Sequence, residues 1–295
     1  MYNSLIYSCQ EDEGKHELDD RTSTKVWFCS LDLGIAFLKR GDYKSARVLF
    51  ELELREAKEA EDKEREGEAY AFLGAAYRYV GDFKNAIECS QEALSIAKEI
   101  ENKDSQGAAY TNLGNAYHCL GNYKKAIEFY QQALSIAKEE KNKSSEGRAY
   151  DNLANAYHFL GSLKKAIEFR QQALTVAKEI GDKELELKVH THLGKSFAFL
   201  DDSEQVIKCH QQALSIAKEI GEKRLEQKTY SKLGHSFRKL HDFRKAEELY
   251  ESSIKVFEEM RFLLQEKDEW KISFRDQLKA YSNLWIVQLL SLIHI

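Results

Sequence analysis

The sequence predicts an all-α fold, a solenoid of helical hairpins, on three observations. A unit of about forty residues recurs: Gly67–Leu94, Gly107–Leu134 and Gly147–Leu174 read GEAYAFLGAAYRYVGDFKNAIECSQEAL, GAAYTNLGNAYHCLGNYKKAIEFYQQAL and GRAYDNLANAYHFLGSLKKAIEFRQQAL. Looser copies follow at Lys188–Leu214 and Lys228–Ile254, and one precedes at Trp27–Leu54. Within each copy the apolar and small residues fall at helical spacing, and the chain contains no proline to break a helix. Self-similarity at such a period marks an array in which each unit buries its apolar face only against its neighbours.

The chain opens with Met1–Thr22, which lacks periodicity and gathers Glu11, Asp12, Glu13, Glu17, Asp19 and Asp20. A mobile acidic tail is the expectation there. The first copy begins at Thr24, and in its second helix Glu53 stands where the other copies mostly carry Ala. That suits a terminal repeat with one face to water.

The third copy states the logic of the unit. Tyr110, Leu113, Gly114 and Tyr117 fall at i, i+3, i+4 and i+7 and share one face of a first helix. Gly121-Asn122 then supplies a left-handed stop and a side-chain acceptor for the next helix's free N–H groups. The cap position holds Asp42, Asp82, Asn122, Ser162, Asp202 and Asp242 across the copies. A second helix follows, with Ala126, Ile127, Tyr130, Ala133, Leu134 and Ala137 turned inward. Gly34, Gly74, Gly114, Gly194 and Gly234 sit inside first helices, where Gly costs about 1 kcal/mol relative to Ala. Ala154 is the smallest replacement. Close helix–helix contact explains these small residues, with Ala46, Ala86, Ala126, Ala166 and Ala246 expected opposite on the second helix.

Copy five departs from the pattern: Asp201 replaces the turn Gly, Ser203 the aromatic and Val206 the Ala, which predicts a looser hairpin. After Met260 the register breaks, and Tyr281, Leu284 and Trp285 open a further helix about eleven residues late. Leu290–Ile295 reads Leu-Ser-Leu-Ile-His-Ile, the peptide that one frame of a transposase adapter encodes in sequencing libraries. It is expected to be a non-native tail, with the gene continuing past Leu289.

Leu, Gly, aromatic, Ala and Ala at these spacings resemble the tetratricopeptide repeat (TPR) family over about residues 26–260. The resemblance implies a right-handed α-solenoid superhelix. Its repeats fall at about 23–62, 63–102, 103–142, 143–182, 183–222 and 223–260, and the start of a further repeat falls at 261–289. The family's Trp position holds Ser30, Tyr70, Tyr110, Tyr150, His190 and Tyr230, and no Pro ends the second helix. The longer period predicts a second helix that runs on by more than a turn. This longer form resembles the arrays of Pins/LGN-type polarity adaptors and of the large TPR proteins related to tetratricopeptide repeat protein 28. In the latter a caspase-like CHAT domain follows.

Bulk chemistry excludes several functions. A net charge of −5 and a pI near 6.1 give no global attraction to nucleic acid. Five cysteines form no CxxC pair, which fits reduced thiols and a cytoplasmic location. No Arg-led apolar run opens the chain, so no signal peptide is expected, and the apolar run Leu284–Ile295 is too short to span a bilayer. Neither GxxxxGK[ST] nor GxGxxG occurs, so no phosphate-cradling loop is expected. His190 and His192 diverge on a helix, as do His118 and Cys119, so neither pair forms a zinc site or a nucleophilic dyad. No catalytic residue, metal or cofactor is expected.

Binding is the remaining role. In the TPR family the first helices line a concave groove, and carry-over of the inward positions gives three rings. They are Glu68, Ala108, Arg148, Lys188 and Lys228; Ala75, Asn115, Asn155, Lys195 and His235; and Arg78, His118, His158, Ala198 and Arg238. Asn112 and Asn152 occupy a neighbouring position, and Asn suits the backbone of an extended peptide because it both donates and accepts. The middle is amide-rich, whereas Arg148, Lys188, Lys195, Lys228, Lys232, Arg238 and Lys239 make the C-terminal half basic. Asn115, Asn152 and Lys188 match three positions of the carboxylate clamp of chaperone-binding TPRs, while Thr111 and His192 replace its other cations. Asn112–Tyr117 repeats the Asn-Leu-Gly-Asn-Ala-Tyr string of Pins/LGN-like grooves. The resemblance therefore implies a non-catalytic scaffold for an extended or helical partner segment, and the basic half of the groove suits an acidic one. The alternative is the regulatory part of a larger protein with a C-terminal CHAT domain.

Overall fold

The structure is a computed structural model, which describes the backbone of residues 20–264 and the side chains of residues 30–261. The chain divides after Leu120 into two compact units. The first holds α1 (Asp20–Arg40), α2 (Tyr43–Glu59), α3 (Lys63–Val80), α4 (Phe83–Glu99) and α5 (Lys103–Cys119). The second holds α6 (Tyr123–Glu139), α7 (Lys143–Phe159), α8 (Leu163–Ile180), α9 (Lys183–Phe199), α10 (Ser203–Glu219), α11 (Lys223–Lys239) and α12 (Phe243–Leu264). Among the described residues every element is a helix, each packed on its neighbours within its unit. The all-α class and the stacked helical pairs are those the repeat spacing predicts. Helix α1 begins at Asp20, inside the stretch set aside as a tail. The rest of that tail, the continuation of the repeat beyond Leu264 and the Leu290–Ile295 peptide lie outside the described residues.

The turns explain where each helix stops. Gly41, Gly81, Gly121 and Gly161 are left-handed, and Asp201 and His241 take the same conformation at φ 53 and 60° without glycine's freedom. The next residue caps the second helix: Asp42, Asp82, Asn122, Asp202 and Asp242 accept from backbone N–H groups three residues on, at 3.1–3.2 Å. Ser162 makes no such bond; there the Leu163 N–H closes the turn on the Gly161 carbonyl at 3.0 Å. Copy five thus keeps the backbone of its hairpin despite losing the glycine. A second set of stops replaces the missing proline. Glu61, Glu101, Lys141, Gly181 and Gly221 are left-handed after the second helices. Asp62, Asn102, Asn142 and Asp182 then cap α3, α5, α7 and α9.

Packing revises two sequence expectations. Glu53 does not face water: it is fully buried, and its carboxylate pairs with Arg65 at 3.3 Å on the next helix. Burial pushes its pKa up against the pull of Arg65, so the terminal repeat hides a costly charge instead of displaying it. The glycines do admit close contact, but the opposing side chain lies one turn beyond the predicted alanine. A Cβ at Gly34 would stand 2.5 Å from Phe50, at Gly194 2.6 Å from His210 and at Gly234 2.7 Å from Tyr250. At Gly74 it would meet the Ser90 hydroxyl at 2.9 Å and the Ala86 carbonyl at 3.2 Å. Ala46, Ala86, Ala166 and Ala246 are all buried, and of these only Ala86, through its backbone carbonyl, is among the nearest atoms to a glycine.

Successive helices are also joined by chemistry that recurs with the repeat. Lys58, Lys98, Lys138 and Lys218, near the ends of second helices, lie over the rings of Tyr70, Tyr110, Tyr150 and Tyr230 at 4.9–5.7 Å. The tyrosines at the family's Trp position are thus seats for a lysine. Lys143, Lys183 and Lys223 each bridge a buried Glu one turn on (Glu146, Glu186, Glu226) and a Glu at the end of the paired helix. With the lysines well exposed, each bridge contributes no more than about 1 kcal/mol.

The glycine contact makes a direct prediction. Gly234→Ala gains about 1 kcal/mol of helix propensity but drives a methyl into the fully buried Tyr250 ring, where overpacking costs about 1–3 kcal/mol. Chemical denaturation should show a net loss of up to about 2 kcal/mol, whereas a gain would mean that the two helices are free to move apart.

Candidate functional site

In the first unit the site residues lie on α5. Asn112 is half-buried and donates its amide to the Ala71 carbonyl at 3.3 Å, tying α5 to α3. It borders a cavity of about 450 Å³ lined by Glu68, Ala71, Ala75, Arg78 and Ala108. Burial, with Glu64 and Asp62 nearby, pushes the Glu68 carboxyl up. Asn115 and His118 are half-buried on the same helix, and burial pulls His118 below the usual imidazole value. Thr111, at the clamp's lysine position, spends its hydroxyl on the Gly107 carbonyl at 2.9 Å.

The second unit places the remaining site residues on α7, α9 and α11. Arg148, Lys188 and His192 border one cavity of about 660 Å³, together with Asp182, Glu184 and Glu222, so its walls are of mixed charge. Lys188 and His192 both converge on Asp151, which is 0% exposed. The Lys188 ammonium lies 3.0 Å from one of its oxygens and the His192 Nδ1 3.1 Å from the other. Burial pushes the Asp151 carboxyl up, but the His192 hydrogen bond and the charges beside it outweigh burial and hold it down at about 2. Burial depresses His192 itself against the pull of Asp151. Near neutral pH the Lys188 ammonium is thus the full opposite charge. The clamp cation counted for a ligand carboxylate, Lys188, is already held by an internal one.

A second buried cluster lies beside it. Arg170 on α8, only 2% exposed, donates to Asn155 Oδ1 at 2.8 Å and to the Ser196 hydroxyl, which also lies 3.3 Å from His158 Nδ1. Burial lowers the Arg170 pKa to about 10, with Asp151 pulling it back. Asn155 and His158 therefore help to hold a buried guanidinium, while Asn152 is half-buried on α7 and Lys195 is exposed on α9.

Lys228, Lys232 and Arg238 come together on α11 around the largest of these cavities, about 710 Å³. Burial, then the charges of Lys195 and Lys228, lowers Lys232 to about 8. Lys195, Lys228 and Lys232 have no carboxylate within ion-pair distance among the described residues.

Sequence reasoning missed Asp151, Arg170, Ser196 and His210. One signal was present: the buried place that holds Phe50, Ser90, Tyr130 and Tyr250 holds Arg170 and His210 in copies four and five. Among the described residues no group of His, Cys, Asp or Glu is placed to hold a metal, and no helix is long and apolar enough to cross a membrane.

A family model described as the tetratricopeptide repeat matches residues 65–139 and 145–219, half of the chain. Comparison with curated proteins found no match. Among solved structures, BtubC (BKLC) from P. vanneervenii is similar at 24% identity and TM-score 0.67, over 74% of this chain and 92% of that one. A signal transduction ATPase with numerous domains (STAND) and a tetratricopeptide repeat sensor, from Pyrococcus horikoshii, is similar at 22% identity and TM-score 0.70. It is matched over 90% of this chain, which spans only 39% of that protein. A Rap protein complexed with Competence and Sporulation Factor is similar at 14% identity and TM-score 0.64, over 89% of this chain and 74% of that one. Identities this low show a shared fold.

The Asp151 cluster gives a signed pH prediction. Its folded pKa of about 2 lies below the ordinary 3.8, so its contribution is fully present above the ordinary value and is lost as pH falls toward 2. That contribution is about 2 kcal/mol. Asp151→Asn should therefore be less stable than wild type at pH 7 by roughly that amount in chemical denaturation, with the difference shrinking between pH 4 and 2. Equal stability at pH 7 would show that the ion cluster contributes nothing.

Proposed function

Because the chain belongs to the tetratricopeptide-repeat family, we propose that it is a non-catalytic scaffold that holds a segment of a partner protein along its first helices. Within the second unit those helices are α7, α9 and α11. The observation that carries this reading is the set of unneutralised cations, Lys195, Lys228 and Lys232, on first helices that an acidic segment would complete. The surface we assign to the partner comprises Asn112, Asn115 and His118 in the first unit. In the second it comprises Arg148, Asn152, Asn155, His158, Lys188, His192, Lys195, Lys228, Lys232 and Arg238. The contribution of these residues is uneven. Lys188, His192, Asn155 and His158 have internal partners and shape the surface, while the free lysines supply attraction. The Rap protein complexed with Competence and Sporulation Factor supports occupancy of such a fold by a bound factor.

A second reading makes these repeats the regulatory part of a longer protein, with a CHAT domain as one candidate partner domain. The STAND protein, in which such repeats form a sensor within a larger chain, supports that arrangement in general. Sequencing the transcript from its 3′ end in adapter-free genomic DNA decides it: a stop codon directly after Ile295 overturns it.

The scaffold reading is tested with Lys195→Glu combined with Lys228→Glu. Lys188 is left in place, since a carboxylate there would face the buried Asp151. A fluorescent peptide of alternating Glu and Ala should bind the double variant about tenfold more weakly in low salt, equal to about 1.4 kcal/mol. The steep fall of wild-type affinity with added salt should flatten. Unchanged affinity and salt dependence would remove the acidic-segment assignment.

A further inference from the structure

The copy that fits the repeat pattern least is the one that opens the largest of these cavities. Asp201, Ser203 and Val206, the three departures of copy five, all line the space of about 710 Å³ reaching from α10 to α11. In two other copies a pair of stacked rings occupies the equivalent place, Tyr43 on Tyr79 at 4.7 Å and Tyr123 on Phe159 at 5.3 Å. Here Ser203 and Lys239 stand instead, and both border the cavity. The volume falls within the range of sites that enclose a small ligand or a large side chain.

The walls are strongly unbalanced. Lys228, Lys232, Arg238 and Lys239 face one carboxylate, that of Asp201. His210, 6% exposed, lines the same space, and neither of its ring nitrogens has a hydrogen-bond partner among the described residues. A buried polar group without a protein partner is costly to keep, so the ring's polarity at this cavity is unlike the phenyl and phenol rings of Phe50 and Tyr250 at the same place in other copies. Burial, then Lys232 and Lys195, pushes His210 down to about 4, so its ring is neutral and can donate one N–H without adding charge. The Arg238 guanidinium lies 3.2 Å from His235 Nδ1 and carries further N–H groups that suit a tetrahedral oxyanion.

Resting on the scaffold reading, we propose that this cavity takes a phosphorylated side chain of the partner segment, held by Lys232, Lys228 and Arg238 over the His210 ring. Four cations against one carboxylate leave three positive charges, which a single carboxylate leaves mostly uncompensated and a dianion largely neutralises. Burial first, and then the neighbouring charges of Lys195 and Lys228, lower the Lys232 pKa to about 8.

The full chain is titrated with three fluorescent heptapeptides, Ala-Ala-Ala-Xaa-Ala-Ala-Ala, in which Xaa is phosphoserine, Glu or Ser. The phosphopeptide should bind about tenfold more tightly than the Glu peptide, and the Ser peptide more weakly still. Lys232→Met and, separately, Lys239→Ala should weaken phosphopeptide binding several-fold to about tenfold with helicity unchanged, whereas Lys124→Ala on α6 leaves it intact. Equal binding of the phosphoserine and Glu peptides, or full affinity in both cavity variants, overturns the proposal. Displacement of the phosphopeptide by inorganic phosphate at the peptide's own Kd also overturns it, because the cavity is then an ion site without a role for the segment. If the alternating Glu–Ala peptide still depends on Lys195 and Lys228 in such a case, the scaffold reading survives alone. If neither peptide binds, both readings fall.

Discussion

A glycine in the first helix of a repeat lets one buried side chain of the second helix press against bare backbone, and the rest of each unit follows from that contact. At Gly34, Gly74, Gly194 and Gly234 only 2.5 to 2.9 Å separate the missing Cβ from the opposing side chain, so a larger residue there must displace it, whereas copy four accommodates Ala154 against Arg170. The pair's spacing sets where its turns must fall. The left-handed residue and the cap that follow then serve to return the chain at the right height. Because the opposing position is buried in every copy, its identity decides what the interior of each repeat contains. Phe50 and Tyr250 give rings, whereas Arg170 and His210 bring polarity into the second unit.

That exchange has electrostatic consequences. A guanidinium taken out of water must find acceptors, and Arg170 draws in Asn155 and Ser196, the latter in turn beside His158. Asp151, buried one turn before Asn155, gathers Lys188 and His192 from the next first helix. Charge on the first helices of the second unit thus separates into two classes. Lys188 and His192 are bound within the fold, and Lys195, Lys228 and Lys232 are not. Only the second class retains the free energy to attract a partner, since a cation already paired must give up its partner before it can take another.

Much of the fold was legible because it rests on local chemistry. Gly41, Gly81 and Gly121 followed by Asp42, Asp82 and Asn122 announce stop and cap within two residues, and the structure realises them. The second set of stops was less visible because Glu61, Glu101 and Lys141 adopt a left-handed conformation that their side chains do not advertise. The register between paired helices was misjudged by one turn, since small residues on both helices fit several alignments and only the packed pair selects one. Glu53 was assigned to water because the sequence does not show that Arg65 will lie over it. The site was legible as a list of positions and not as a set of partners. Asp151 lies 41 residues from His192, so their bond exists only once the repeats are stacked.

Copy five shows how such an array can acquire a site without changing its fold. The left-handed turn survives at Asp201, and Asp202 still caps α10, so the backbone tolerates loss of the glycine. What does not survive is the packing. Ser203 and Lys239 stand where two other copies stack a ring pair, and His210 takes the place of the Tyr250 or Phe50 ring beneath a glycine that admits it. Each change on its own weakens a repeat, and a sequence selected for stability alone would be expected to restore the ring. Their placement around one cavity, facing four cations, is what separates a built site from drift. Scattered losses would leave small separate defects, whereas these open onto a single space. Local rules are broken together where a function depends on the breakage.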